Sequence, residues 1–540
     1  MKRIALNLLV GLTLAVAAAY TQSPAEIATA KLAVAAHSTG DLLLEQILLR
    51  RLSIESTGDL ADAARHRLAE NALERGDYAD AIRLLNSGDG KADEKSSQVR
   101  RDRALIGEAY ARSGDVTTAA QLLNAVLATT PNAAQPDDAD LLAAKSLDAM
   151  GGEIDETEHF RRAGVYQFNR YWDEARGHYK FVKTTSDAAE ALFQIGRGYS
   201  QSSEHENAVP YYQSVIDHYP ETQQAKDSLL QLGAAHSRLG QTDEAIARYQ
   251  AFIDKYPTDD KLDRAYLNIV DIYRDLGDDT HALEWCQKTE AAFTGKTPEA
   301  LAIFDEAKIH ASRSEWQDEI AALDRLKGRN DLGGASQPGG TTETELRIMR
   351  ATAMYPPDPN QQKPATDFHA VPIPNNDLAP AYPIEFAEIV GRRSTAQNVD
   401  PRLLLAIMRQ ESKFDPQARS NAAARGLMQF THPQALKISK ELGWTYFSDD
   451  ELYSPKNSIA LAAQYLADLN AMFPNQTEAV VASYNGGEDN VKRWMARAKS
   501  NEPERYVPEL VFGQTKDYAA KVMANYRVYQ QLYDEQLRPK

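Results

Sequence analysis

Residues 196–220, GRGYSQSSEHENAVPYYQSVIDHYP, return 37 residues later at 233–257 as GAAHSRLGQTDEAIARYQAFIDKYP. Gly196, Tyr199, Ala208, Tyr212 and Pro220 become Gly233, His236, Ala245, Tyr249 and Pro257. A further step gives Val270, Tyr273, Ala282 and Cys286, and the same internal offsets occur earlier at Gly107, Tyr110, Ala119, Leu123 and Pro131. A small residue where two helices meet, an aromatic ring a turn further on and a proline closing the second helix define a helix–turn–helix unit. One such unit cannot bury its apolar face alone, so the units must stack. The pattern predicts an all-α region with five or more hairpins between about Pro24 and Lys327, without sheet and curved into an arc or ring.

This 37-residue pattern resembles tetratricopeptide repeats, slightly lengthened from their usual period. The resemblance implies a helical-repeat superhelix over 24–327 that could hold protein partners. Beyond it the composition changes. Gly333-Gly334, Pro338-Gly339-Gly340, Pro356-Pro357-Asp358-Pro359 and Pro372-Ile373-Pro374 interrupt any long helix, so 328–376 reads as a linker with one short helical piece, Glu343 to Tyr355.

At the other end, Lys2-Arg3 precede an apolar run from Ile4 to Ala19 that finishes in Ala17-Ala18-Ala19. Those are the three parts of a secretory signal peptide, placed at 1–19. The run is short for a membrane span, with an uncleaved anchor as the alternative. No cysteine lies near the cleavage site, so a lipoprotein anchor is not expected. The single cysteine, Cys286, excludes an intramolecular disulfide and falls where other repeats carry a core aromatic. No Cys/His cluster has metal-ligand spacing, so neither metal nor cofactor is expected. The net charge is -17, and from Asp377 onward acidic and basic residues balance at 20 each. The excess negative charge therefore belongs to the N-terminal portion, which argues against nucleic acid, anionic membrane surfaces and a charge-based grip on any anionic polymer.

Chemistry concentrates in the last 165 or so residues. In the stretch Asn398 to Ser412, Asp400 suits an N-cap and Pro401 the first helical position. Leu404, Ile407, Met408 and Glu411 share one face, at i, i+3, i+4 and i+7. Glu411 thus falls near the helix end, before Asp415-Pro416. Burial and the helix C-terminus both disfavour an ionised carboxylate there, which suits a general acid. Eighteen residues after Glu411 comes Gln429, in Gly426-Leu427-Met428-Gln429, and later Tyr484-Asn485-Gly486-Gly487. One carboxylic acid among neutral hydrogen-bonding groups, aromatics and glycine turns suits a sugar polymer held in a groove.

The segment Ala406 to Ala435, with Glu411-Ser412, Ser420, Gly426 to Gln429 and then Tyr484-Asn485, resembles the signature of soluble lytic transglycosylases, the goose-lysozyme-like enzymes that cleave peptidoglycan. The resemblance continues through Ala381-Tyr382-Pro383, Asn457-Ser458-Ile459, Tyr465-Leu466, Glu509-Leu510 and Gln514 to Tyr518. It implies a lysozyme-like α-helical catalytic domain over 377–540, able to fold alone. It further implies Glu411 as the single catalytic acid/base, Ser420 and Gln429 hydrogen-bonded to the N-acetyl sugar, and Tyr484 on the groove floor. Asn485 would fix the turn and Glu509 would face the groove across from Glu411. Departures from the family pattern are Ala423 where glycine is frequent, Gly486 for alanine, Thr431 for a methionine, Val511 for proline and Gln514 for glutamate.

Ordinary glycosidases use two carboxylates. In the resembled family the substrate's own N-acetyl carbonyl replaces the second, and ring closure by the C6 hydroxyl leaves a 1,6-anhydro end. The implied protein is an exported, periplasmic peptidoglycan lyase whose partners are glycan strands. The alternatives are a repeat-based adaptor whose inactive domain only binds glycan, and a hydrolytic lysozyme.

Overall fold

The computed structural model describes residues 23–39, 41–86, 97–329, 343–354, 381–510 and 513–540. The expected signal segment lies outside them, as does most of the linker apart from the helix Glu343–Met354. Among the described residues the chain is helical throughout, with isolated bridges and no strand. No helix among them is long and apolar enough to cross a membrane.

The repeat pattern becomes helix pairs. Helices Gln223–Arg238 and Thr242–Lys255 form one hairpin, and Leu262–Leu276 with Asp279–Ala292 the next. The positions that recur in sequence are the ones the pairs bury: Ala119, Ala208, Ala245, Ala282, Leu123, Tyr212 and Cys286 are all closed to solvent, and Tyr249 nearly so. Glycine recurs for a contact reason. A Cβ at Gly233 would lie 2.7 Å from the Tyr249 ring, and one at Gly107 would lie 2.7 Å from the Leu123 side chain. Only hydrogen lets the paired helices approach that closely. Turn chemistry sets the ends. Asp115 accepts the Thr118 N–H at 3.1 Å, Thr222 the Ala225 N–H at 3.2 Å and Asp278 the His281 N–H at 3.1 Å. Gly277 closes its helix in the left-handed conformation, at φ 72°.

Two compact units emerge from the contacts. One joins the chain up to residue 198 with residues 411–461; the other joins 199–410 with 462–540. This grouping cuts across the boundary expected from sequence, because each unit holds repeat helices together with part of the region after residue 377.

Candidate active site

Glu411 lies in the last turn of the helix Pro401–Ser412 and is half-buried. The helix starts as its sequence requires, with Asp400 Oδ1 accepting the Arg402 N–H at 2.8 Å. Every residue from Pro401 to Met408 is buried, so the single apolar stripe expected from periodicity is instead a helix enclosed on all faces. Lys413 and Phe414 then adopt left-handed conformations at φ 53° and 67°, which ends the helix immediately after Ser412.

Residues 418–430 form a tight knot in the same unit as Glu411. Arg425 bridges Arg419 on one side and Phe430 on the other. Gly426 N–H donates to the Ala418 carbonyl at 2.8 Å, and Ser420 N–H to that of Ala424 at 2.9 Å. The Ser420 hydroxyl oxygen accepts the N–H groups of Ala422 and Ala424, at 3.1 and 3.0 Å. With its lone pairs so engaged, the hydroxyl hydrogen is what Ser420 has to offer a ligand. Gln429 Nε2 donates to the carbonyls of Ala418 and Gly426, at 3.0 and 2.9 Å, which fixes the amide plane. Two of the expected sugar-binding side chains are thus built into one loop. Gly426 is obligatory in it: its φ is 75°, and a Cβ would lie 1.8 Å from the Leu452 carbonyl oxygen. Ala423, by contrast, sits at φ 57° with a full Cβ, in the conformation that the glycine frequent in the resembled family would adopt without strain.

What anchors this loop had no reading in the sequence. The Arg425 side chain is completely buried. Its Nη2 donates to Asp138 Oδ1 at 2.8 Å and to Asn169 Oδ1 at 2.7 Å, and its Nη1 to the Ala423 carbonyl at 2.9 Å. Arg419 also reaches Asp138, at 3.2 Å, and the Tyr453 hydroxyl donates to Asp138 Oδ2 at 2.6 Å. Burial alone would raise the Asp138 carboxyl; the Arg425 and Arg419 charges and the Tyr453 hydrogen bond outweigh it and hold the carboxyl well below its ordinary range. Asp449 stands 3.5 Å from Arg425 and accepts from the Tyr171 hydroxyl at 3.1 Å, with His432 Nδ1 at 2.8 Å. A repeat-region helix, Asp138–Met150, therefore supplies the counter-charge for the Gly-Leu-Met-Gln loop, 287 residues away in sequence.

The other expected residues belong to the second unit. Tyr484, Asn485 and Gly486 close the helix Thr477–Gly486 rather than forming a free-standing turn, and Gly487 caps it at φ 83°. The Tyr484 ring is buried and lies 5.4 Å from the Tyr465 ring. Asn485 is exposed, and its Oδ1 accepts the Thr515 hydroxyl at 2.8 Å. The alanine-to-glycine departure at 486 has a local reason: a Cβ there would lie 2.9 Å from Thr515 Cγ2.

Glu509 departs from expectation. In place of an open groove it has 2 % exposure, and both its oxygens accept from Arg274 Nη2, at 2.6 and 2.7 Å. Lys308 stands 3.9 Å away, and Arg274 also holds Asp305 at 2.9 Å. A carboxylate so engaged cannot turn to a sugar without giving up both hydrogen bonds from a buried arginine that would then keep Asp305 alone.

One group among the described residues could bring metal-ligand atoms together, His310, Glu315 and Asp318, within 4.8 Å of one another. His310 Nδ1 is already 2.8 Å from Glu315 across its hairpin turn, as His236 is 2.6 Å from Gln241 across the turn of an earlier hairpin. The grouping is a turn contact of the repeats.

Residues 388–507 match the Transglycosylase SLT domain, and 190–222 and 227–259 match the tetratricopeptide repeat. A putative soluble lytic murein transglycosylase of Haemophilus influenzae is 31% identical over 176 residues, 32% of this chain and 28% of the relative. The soluble lytic murein transglycosylase of Escherichia coli K12 is 26% identical over 151 residues, 27% of this chain and 23% of the relative. The chain thus spans about a quarter of the length of these curated relatives. The 70 kDa soluble lytic transglycosylase of Escherichia coli, as a solved structure, aligns with 96% of this chain and 98% of its own, at 13% identity and a TM-score of 0.31.

Proposed function

We propose that this chain, which carries an SLT transglycosylase domain and tetratricopeptide repeats, is an exported peptidoglycan lytic transglycosylase acting in the periplasm. The observation that carries the reading is the loop 418–430. There Ser420 and Gln429 are fixed by main-chain hydrogen bonds, in the unit that also holds Glu411. Rigid, pre-oriented hydrogen-bonding groups are what a sugar-binding subsite requires.

Glu411 gives its proton to the glycosidic oxygen between N-acetylmuramic acid and N-acetylglucosamine. The N-acetyl carbonyl of the muramic residue stabilises the cationic centre. Glu411, now a carboxylate, takes the proton of the C6 hydroxyl as that oxygen closes on C1. Atoms balance without added water, and the product ends in a 1,6-anhydro ring. Ser420 and Gln429 hold the N-acetyl sugar, Tyr484 lines the floor and Asn485 fixes its turn. Glu509 is assigned to holding Arg274, outside the substrate contacts. Residues 24–327 serve as a scaffold that places the enzyme on the wall or on wall-bound proteins.

Digestion of purified sacculi, followed by mass spectrometry of the released muropeptides, tests this directly. The expected fragments are lighter by one water than hydrolysed ones. Glu411→Gln should lower their release by roughly 10²–10⁴-fold while leaving the circular dichroism spectrum unchanged. Water-added reducing ends would make the chain a lysozyme. Glycan binding without release would make it an adaptor.

A further inference from the structure

A cavity of about 510 Å³ lies in the second unit, between hairpin turns of the repeats and the helix Glu488–Ala498. Five cations line it, Arg238, Arg274, Arg493, Arg497 and Lys499, against two carboxylates, Asp275 and Asp279. Three of the five are matched. Arg274 is bound to Glu509 and Asp305, Arg497 holds Asp271 at 2.6 Å and Asp275 at 2.5 Å, and Lys499 stands 3.4 Å from Asp279. These pairs use every acid at the cavity wall.

Arg238 and Arg493 are left over. Both guanidinium groups turn to one neutral acceptor: Asn490 Oδ1 accepts from Arg238 Nη2 at 3.5 Å and, more closely, from Arg493 Nη2. Asp275 and Asp271 offset part of the charge of these two cations from a distance, but both acids are held by Arg497, and the one close acceptor the two guanidinium groups share is a neutral amide oxygen. The Nε of Arg493 is shielded from solvent and has no hydrogen-bond partner among the described residues. Desolvation first, then repulsion from Arg238 at Arg493 and from Arg497 at both, holds the two below the ordinary arginine range against a partial offset by Asp275; Arg238 itself remains exposed. Bringing an anion in would answer the charge and the open donors at once. Asn490 also ties the cavity to the Tyr484–Gly487 motif, since its Nδ2 donates to the Gly486 carbonyl at 2.7 Å.

We propose that this cavity is a carboxylate-binding site, that Arg238 and Arg493 form its anion fork, and that it takes the free carboxylates of wall stem peptides. The identity of the ligand rests on the lytic transglycosylase reading; the anion site does not. A chain with net charge -17 would otherwise repel such peptides, so a local cationic cavity is needed to receive them.

Isothermal titration of the full chain with a sugar-free stem tetrapeptide bearing free carboxylates tests it. Its fully amidated counterpart and inorganic phosphate serve as the other arms. The expected result is saturable tetrapeptide binding, at least tenfold weaker for the amidated peptide and for Arg238→Gln/Arg493→Gln, with the melting temperature of the variant unchanged. The comparison of free with amidated peptide on the unaltered chain stands even if that variant fails to fold. Equal binding of both peptides, or binding undiminished in a folded variant, would overturn the proposal. Binding of phosphate without the tetrapeptide would overturn the stem-peptide assignment. A chain that binds the tetrapeptide but releases nothing from sacculi refutes the lyase reading and leaves the site intact, whereas cleavage without tetrapeptide binding does the reverse.

Discussion

Both units fasten a piece of the region after residue 377 to a repeat helix through a buried arginine–carboxylate pair, with the charges exchanged. In the first, the arginine belongs to the motif loop and the acid to the repeats, Arg425 on Asp138. In the second, the acid follows the motif helices and the arginine is in the repeats, Arg274 on Glu509. They differ in how completely the surrounding charge is satisfied. Around Asp138, two arginines, a tyrosine hydroxyl and an asparagine amide close the network. The second unit keeps loose ends: Arg238 and Arg493 share a neutral Asn490 oxygen while the nearest acids are held by Arg497, and Glu319 is fully buried with neither oxygen hydrogen-bonded and Arg505 3.6 Å off. A saturated network only holds its loop in place, whereas an unsaturated one can still respond to a ligand or a proton.

Cutting either pair should give the largest effect on stability. Asp138→Asn leaves the buried Arg425 only the more distant Asp449, and Arg274→Met leaves Glu509 only Lys308 at 3.9 Å; each should cost about 3–5 kcal/mol in chemical denaturation. Adding Glu509→Gln to Arg274→Met should recover much of the second loss, because the isolated charge goes with it. Losses under 1 kcal/mol in both single variants would mean that these pairs fasten nothing.

Protonation separates the units next. Burial pushes the Glu319 carboxyl up to about 7, against an ordinary value of 4.5. The folded chain therefore keeps a proton that the unfolded chain releases, and stability falls as pH rises from about 4.5 through about 7. Glu319→Gln should remove this slope and leave the variant more stable at pH 8, by roughly 3 kcal/mol at most. Asp138 shows the opposite sign, its stabilisation being lost only as pH falls well into the acid range. Denaturation midpoints recorded from pH 4 to 8 on both proteins check this, and parallel profiles would sink it.

Two small substitutions sharpen the contrast at the motifs themselves. Ala423→Gly should stabilise the first unit by about 1 kcal/mol, since a left-handed residue sheds its Cβ strain. Gly486→Ala should change stability by less than about 1 kcal/mol, because the helix gain and the contact with Thr515 oppose each other. In a Thr515→Ala background, where both Cγ2 and Oγ1 are gone, the same change should become stabilising. Thermal melts of the four proteins decide it.

The sequence by itself determined the helix pairs, because their periodicity is local and each recurring alanine, glycine and ring meets a partner within one or two hairpins. It also placed Glu411 at the end of its helix and Ser420 with Gln429 in one motif, since capping residues, a proline and short hydrogen-bonded spacings act over a few residues. It could not reveal that Asp138 answers Arg425 or that Arg274 withdraws Glu509 from solvent. Coulombic partners carry no periodicity, and any of the chain's 77 acids could have served. The strain at Ala423 and the crowding at Gly486 were likewise invisible, since a departure from a family pattern tells nothing of φ or of the side chain opposite. Only the tertiary structure decided which charges are spent and which, at Arg238 and Arg493, remain to be answered.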